Sequence, residues 1–220
     1  MKKSVIFFRD HYKDIEKKIL QFLNDQPEFL SSRTAESPRA VGDAIESILV
    51  ENFGKILGEL VKEYSSSFAR RAMADLAFTD QDDFYYVVDV KTHRLDTKFN
   101  MPNLTSVERI ARFYEDDKNY FVILNVAYNI VGSIAKIKKV TFAPIEFLSW
   151  DCLTLGALGW GQIQIANSNY ITVAPKNSRR KWMLELCDNL FEFYPKEISK
   201  ITERIKHFKK VKKYWERKID

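Results

Sequence analysis

The sequence predicts an α/β fold in which a mixed β-sheet is flanked by helices and followed by C-terminal helices. Apolar runs of strand length are bracketed by segments whose apolar residues recur at helical spacing. Hydrophobic residues make up 45% of the chain and aromatic residues 14%, which argues against a disordered protein. A chain of 220 residues is long enough for one sizeable core, so residues 1–220 are predicted to form a single domain.

Two helices are predicted before the first strands. Residues 10–23 place apolar side chains at helical spacing, and the polar segment 24–38 is predicted to be a loop. A longer helix is predicted from Pro38 to Tyr64, with an apolar stripe that starts at Val41.

A hairpin is predicted next, with strands near 72–78 and 83–91 around a polar turn. Side chains alternate along a strand, so Asp89 and Lys91 should point to one face and Val90 to the other. If the two strands pair antiparallel, Asp75 can lie beside Asp89.

The remaining elements follow from periodicity and turn residues. Strands are predicted at 120–127 and 135–142, and a short hairpin is predicted from 163–165 and 170–173. Helices are predicted at 103–114, from Ser178 to about 193, and from 196 to about 218, with Pro195 separating the last two.

The acidic residues of the hairpin point to metal chemistry. Two close carboxylates repel each other and are costly to bury unless a cation lies between them. Such hard oxygens suit Mg²⁺, and a lysine beside a bound ion can stabilise developing charge. Asp75, Asp89 and Lys91 therefore indicate a metal-dependent phosphodiesterase. The alternative is that Asp89 and Lys91 form only a strand-end ion pair facing water.

The motif Asp89-Val90-Lys91-Thr92 resembles the catalytic strand end of the PD-(D/E)xK nuclease superfamily, and specifically type II restriction endonucleases of the EcoRV and HincII branch. The resemblance covers much of the chain. It includes the helix that begins at 42–46, the segment Met101-Pro102-Asn103 with Ser106, the segment 162–164 and the basic C-terminal helices. Ala74 departs from the pattern, since many members carry proline there.

The resemblance implies a Mg²⁺-dependent enzyme that cuts double-stranded DNA at a palindromic site. It would act as a homodimer and leave 5′-phosphates, 3′-hydroxyls and blunt ends. Asp75, Asp89 and the main-chain carbonyl of Val90 would bind the metal, and Lys91 would offset transition-state charge. Glu46 would complete the site; the alternatives are that Glu46 only edges its helix toward solvent, and that Asp43 or Glu51 is the third acid.

The residues expected to contact DNA come from three segments. They are Thr92, His93 and Arg94; Asn100, Met101, Asn103 and Ser106; and Gly159, Trp160, Gly161, Gln162 and Gln164. Asn100 or Met101 is the candidate for insertion between base pairs, as in the resembled proteins. The alternatives are that His93 is a plain surface residue, that Met101 packs on a helix capped by Asn103, and that Trp160 belongs to the core.

Charge and cysteine content agree with this hypothesis. The net charge of +5 suits a polyanionic partner, although most lysines of the basic C-terminal run are expected to form a solvated helix face. Cys152 and Cys187 are expected to be reduced core residues of an intracellular, cytoplasmic protein, and no stretch predicts a signal peptide or a membrane span.

Two rival functions remain: a repair or junction-resolving nuclease of the same fold, and a DNA-binding module that has lost catalysis. The joint presence of Asp75, Asp89 and Lys91 argues against the second.

Overall fold

The computed structural model describes residues 3–26, 37–64 and 74–218. Its contacts divide the chain into two compact units, Met1–Ser178 and Arg179–Asp220. The first unit is α/β with a mixed sheet flanked by helices. This confirms the prediction of an α/β fold with a mixed sheet.

Three helices precede the sheet: α1 (Val5–Phe8), α2 (His11–Asn24) and α3 (Pro38–Leu57). Helix α2 buries residues spaced three and four apart, as an amphipathic helix must to cover a core. In α3, Ser37 caps the N-terminus by accepting a hydrogen bond from the Ala40 amide, and Pro38 occupies the first turn. Gly58 ends α3 with a positive φ of 57°, earlier than the predicted end at Tyr64, because that backbone conformation favours glycine.

The main sheet has the strand order β1-β2-β3-β5-β6. Its strands are β1 (Val61–Tyr64), β2 (Leu76–Asp80), β3 (Tyr85–Arg94), β5 (Asn119–Val131) and β6 (Ile134–Pro144), with β4 (Asn103–Ser106) elsewhere. Strands β3 and β5 pair in parallel and the other neighbours pair antiparallel, which makes the sheet mixed. The predicted strands at 120–127 and 135–142 are confirmed and extend further.

Aromatic rings fill the core beneath this sheet. Tyr86 stacks between Phe78, at a ring-centroid distance of 4.5 Å, and Tyr120, at 5.4 Å. The Tyr86 hydroxyl donates to Asp80 Oδ2 at 2.6 Å, which satisfies a buried carboxylate at the hairpin turn. Because Asp80 Oδ1 also accepts from the amides of Asp82 and Phe84, this turn is held tightly and fixes the register of β2 against β3.

A second sheet has the order β4-β8-β7, with β7 (Leu153–Gly156) and β8 (Gln162–Ile165). This arrangement corrects two predictions. The predicted helix 103–114 is strand β4 followed by a shorter helix, α4 (Val107–Phe113), and Ser106 caps it. The predicted hairpin between 163–165 and 170–173 is wrong, since β8 pairs with β7 and β4, while Val173 forms only an isolated bridge with Leu148.

The second unit contains one long helix, α5 (Arg179–Trp215), with Pro195 inside it. The prediction of two C-terminal helices separated by this proline is therefore wrong. A proline removes one helical hydrogen bond but need not end a helix when the flanking turns are stable. The basic residues from Lys200 to Lys218 are exposed, as expected for a solvated face.

Both cysteines are free, but only Cys152 is buried, so the expectation of a core position for Cys187 is wrong. Among the described helices, none combines the length and the apolar character that crossing a membrane requires.

Candidate active site

The register of the hairpin places the two aspartates side by side. Leu76 pairs with Val88, and the Asp75 amide, one residue earlier, donates to the Val88 carbonyl at 3.0 Å. The predicted strand 72–78 corresponds to β2, which begins at Leu76; residues 72 and 73 lie outside the described part of the chain. The antiparallel pairing on which the expected proximity depended is confirmed.

The main chain between Asp89 and Lys91 holds the side chain of Asp75 in place. Its Oδ2 accepts a hydrogen bond from the Val90 amide at 2.7 Å. The Val90 side chain packs in the core, as the alternation predicts. The carboxylate of Asp75 is therefore held against the stretch of chain that joins Asp89 to Lys91.

Asp89 and Lys91 share a face of β3, where Lys91 Nζ donates to Asp89 Oδ1 at 2.6 Å. The side chain of Asp89 is only 7% exposed and that of Lys91 is 23% exposed, so the alternative of an ion pair facing water is wrong. The second carboxylate oxygen, Asp89 Oδ2, is buried and has no hydrogen-bond partner among the described residues. A buried carboxylate with one uncompensated oxygen is costly, which favours an additional positive ligand at that atom.

Burial raises the pKa of Asp89 to about 7. The charge of Lys91 and its hydrogen bond oppose this rise, whereas the nearby charges of Asp75 and Glu46 add to it. Two neighbouring acids thus add to the effect of burial, and Lys91 does not offset burial and both acids together.

Glu46 reaches this position because α3 packs closely on β3. A Cβ on Gly42 would lie 2.8 Å from Thr92 Oγ1, so only glycine allows this approach without a shift. Glu46 follows one turn later on the same side of α3. Burial raises its pKa, Asp75 and Asp43 add to the rise, and Lys91 opposes it. Glu46 is half-buried, and it lines a cleft at this end of α3.

An open cleft of about 220 Å³ lies between the start of α3 and the end of β3. Its wall consists of Pro38, Arg39, Gly42, Asp43, Glu46, Val90, Lys91, Thr92, Asn100 and Pro102. Lys91 and Glu46 therefore face a space open to solvent, while Asp89 is buried behind Lys91.

Few side chains in this site could bind Mg²⁺. The described residues contain no group of three or more His, Cys, Asp and Glu side chains arranged to hold a metal ion. Mg²⁺ commonly uses one or two carboxylates and keeps several waters. Asp75 and Asp89, with the unpartnered Oδ2 of Asp89, fit that requirement.

The residues that follow Lys91 differ in access. Thr92 lines the cleft, and Arg94 is held by Asp96, with Nη2 donating to Oδ2 at 2.8 Å. His93 is only 1% exposed and its Nε2 bonds Asn169 Oδ1 at 2.8 Å. The expectation of a surface position for His93 is wrong, and its buried ring cannot touch DNA in this arrangement.

The segment before β4 is placed at the same cleft. Asn100 lines the cleft, and Met101 is exposed. Asn103 does not cap a helix, because its Oδ1 accepts from Gln164 Nε2 at 2.6 Å across the second sheet. Asn100 thus lies beside the candidate catalytic residues, and Asn103 is tied to β8 through Gln164.

A second open cleft, of about 360 Å³, lies beside that strand and contains the predicted loop residues Gly159, Trp160 and Gln162 together with Ser106. Trp160 is 63% exposed, so its assignment to the core is wrong. Positive φ angles of 59° at Gly159 and 129° at Gly161 shape this loop.

Sequence reasoning missed several residues of these two clefts. Arg39 lies seven residues before Glu46, which is two helical turns on one face and was the available signal. Arg109 joins the second cleft from α4, and no local pattern indicated it.

No protein-family model matches the chain, and no curated protein matches it significantly.

Proposed function

We propose that this chain is a Mg²⁺-dependent type II restriction endonuclease with a PD-(D/E)xK core. It hydrolyses double-stranded DNA at a palindromic site and leaves 5′-phosphates, 3′-hydroxyls and blunt ends. The observation that carries the proposal is the buried, partly uncompensated carboxylate of Asp89, with Lys91 bonded to it and Asp75 beside it.

In the proposed mechanism, Asp75, Asp89 and the Val90 carbonyl would hold Mg²⁺, which would supply Lewis-acid chemistry toward a phosphate oxygen and a water. Lys91 projects from the same strand face into the open cleft, where its ammonium group offsets negative charge on the scissile phosphate. Glu46, on the opposite wall of the cleft, positions water and shapes the charge of the site.

DNA would enter along the cleft wall. Thr92 can donate its hydroxyl to a phosphate, and Arg39 adds a positive charge at the start of α3. In this proposal Asn100 or Met101 would insert between base pairs next to the cut. The loop with Gly159, Trp160 and Gln162 offers backbone groups and an exposed ring for reading base edges.

The direct test is digestion of a large sequenced DNA with Mg²⁺, followed by sequencing of the ends. The expected result is one set of discrete fragments with uniform blunt ends at a palindrome. A branched junction is digested in parallel. Cleavage only at the junction would replace the proposal with a resolving nuclease, and metal-independent binding without cleavage would replace it with a binding module.

A further inference from the structure

Helix α5 carries an exposed apolar stripe with a strict repeat. Going along the helix, the stripe residues are separated alternately by three and four positions. They are Leu184, Cys187, Phe191, Tyr194, Ile198, Ile201, Ile205, Phe208, Lys212 and Trp215, and are here called the seam. All are exposed, and Phe191, Ile198 and Phe208 are 72%, 65% and 65% exposed.

This repeat has the period of a coiled coil. Apolar residues that recur every ~3.5 positions keep one seam facing a partner helix along its whole length. At about 1.5 Å per residue, the 37 residues of α5 extend over about 55 Å. The seam contains nine apolar residues and one lysine. It exposes much more contiguous apolar surface than a helix surrounded by water normally has.

We propose that α5 pairs with α5 of a second copy of this chain in an antiparallel coiled coil. The two-fold axis passes beside Ser199 and Lys200. The seam residues then meet in layers in which each residue faces one from the second copy. The layers are Ile198 with Ile201, Tyr194 with Ile205, Phe191 with Phe208, Cys187 with Lys212, and Leu184 with Trp215.

Charge complementarity beside the seam selects this arrangement. The flanking residues lie directly before or directly after a position of the seam repeat. In an antiparallel pair, residues that precede a seam position contact each other across the two helices, and so do residues that follow one. Asp188 then faces Lys209, Glu197 faces Arg204, and Lys181 faces Glu216, each pair occurring twice. The remaining flanking contact of note is apolar, between Leu190 and Val211.

Other arrangements place like charges together. A parallel pair puts Arg204 against Lys209 and forms no attractive flanking pair. Shifting the antiparallel pair by one heptad puts Glu197 against Glu197 in one direction and Arg204 against Arg204 in the other. Because like charges destabilise such contacts, the register centred beside Ser199 is the favoured one.

Two of the flanking carboxylates already form ion pairs within one helix. Glu216 lies 3.8 Å from Lys212 and both side chains are exposed, so exchanging this pair for one across the seam costs little. Glu197 accepts from Lys200 at 2.6 Å and its side chain is only 12% exposed, so pairing with Arg204 of the second copy requires its carboxylate to turn away from Lys200.

The first test compares two aromatic substitutions on the same helix. Phe208→Asp lies in the seam and Tyr214→Asp does not, although the two side chains are similarly exposed, at 65% and 56%. In the full chain, sedimentation equilibrium should show that Phe208→Asp weakens dimerisation by at least about a hundredfold, because it places two charges in the seam. Tyr214→Asp should leave the dimer intact. Far-ultraviolet circular dichroism checks that both variants keep their helix.

The second test fixes the direction of the pair. Arg204→Glu should weaken an antiparallel dimer roughly tenfold, because the introduced carboxylate then faces Glu197 twice. In a parallel dimer the same change would tighten association, since the new carboxylate would face Lys209. The double change Asp188→Lys with Lys209→Asp should restore the antiparallel dimer after Lys209→Asp alone has weakened it.

The proposal uses α5 alone and does not depend on nuclease activity. A wild-type chain that stays monomeric at its highest soluble concentration would overturn it, as would equal effects of Phe208→Asp and Tyr214→Asp. Pelleting of the monomer with anionic phospholipid vesicles would also overturn it and assign the seam to a membrane surface. Tightening by Arg204→Glu would overturn the antiparallel direction.

Discussion

The end of strand β3 buries charge, whereas helix α5 exposes apolar surface. At β3, Asp89 is buried and keeps one oxygen without a hydrogen bond among the described residues. Along α5, side chains such as Phe191 are largely exposed. Each region reverses the usual partition of polar and apolar groups. A cation would compensate the buried charge, and another apolar surface would cover the stripe, so each deviation indicates the chemistry of a partner.

The two regions also differ in the length of the sequence pattern that reveals them. The Asp89-Lys91 pair depends on two positions of one strand, while the seam depends on a repeat sustained over the whole of α5. A short motif is specific only through its surroundings, and a long repeat is specific through its length. The following experiments test whether both deviations have functional causes.

Removal of Lys91 should have the largest effect. In the proposed mechanism Lys91→Ala removes the charge that offsets the transition state, so the single-turnover rate of DNA cleavage should fall by about a thousandfold or more. Binding of DNA in Ca²⁺ should remain. The matched control is Lys62→Ala, which breaks an ion pair with Asp83 of the same 2.6 Å length that is 57% exposed at both side chains. Full activity of Lys91→Ala would reject the mechanism.

Neutralising Asp89 should change stability with pH. The raised pKa means that Asp89 stabilises the fold below about pH 4, and that this contribution is lost as pH rises through about 7. The difference from the ordinary value of 3.8 corresponds to at most about 4 kcal/mol. Asp89→Asn should therefore match the wild type near pH 4 and be more stable at pH 8.

Urea unfolding at the two pH values in metal-free buffer measures this difference. The control Asp83→Asn removes an exposed carboxylate that pairs with Lys62, and it should change stability far less, because exposed ion pairs contribute little. Mg²⁺ should raise the melting temperature of the wild type at pH 8 and not that of Asp89→Asn. Parallel pH profiles for the two proteins would contradict the assigned burial.

Replacing Pro195 should stabilise α5. Proline inside a helix leaves the Phe191 carbonyl without its helical donor and costs up to about 3 kcal/mol relative to alanine. Pro195→Ala should raise the thermal stability of the helix, followed by circular dichroism, by an amount in that range. Ser199→Ala, on the same helix, should change it by less than about 0.7 kcal/mol. An unchanged or lower stability for Pro195→Ala would show that Pro195 does not destabilise α5.

Gly42 gives the smallest expected effect, and it tests how closely α3 packs on β3 at the candidate site. Gly42→Ala places a Cβ 2.8 Å from Thr92 Oγ1, so crowding should outweigh the helix preference for alanine and cost about 1 kcal/mol. In a Thr92→Ala background the crowding atom is gone, and the same change should stabilise by up to about 1 kcal/mol. Equal effects in the two backgrounds would show that α3 does not rest on β3 at this point.

Sequence alone was sufficient for features that depend on neighbouring residues. The alternation of β3 placed Asp89 and Lys91 on one face, and the polar turn predicted the antiparallel partner that carries Asp75. The helical spacing of apolar residues also predicted the helix that carries Glu46.

Features that depend on distant contacts were beyond the sequence. Strand β4 was predicted as helix, because its stability comes from β8, whose Gln164 is 61 residues away from Asn103. His93 was expected at the surface, because the residue that buries and bonds it, Asn169, is 76 residues away. Pro195 was assumed to end a helix, since its local cost is visible in sequence and the compensating turns are not.

Asn169 has a consequence for how DNA could be handled. Its side-chain amide donates to the Thr97 and Lys98 carbonyls at 3.0 and 3.2 Å, while its oxygen bonds His93, two positions beyond Lys91. The chain leading to Asn100 and Met101 is thereby braced to the strand that bears the lysine. If a DNA duplex binds there, this braced segment would deform little, so the unstacking of bases in the DNA would account for most of the distortion. Sites with easily unstacked steps would then be cut faster than rigid ones, even where no side chain reads the bases.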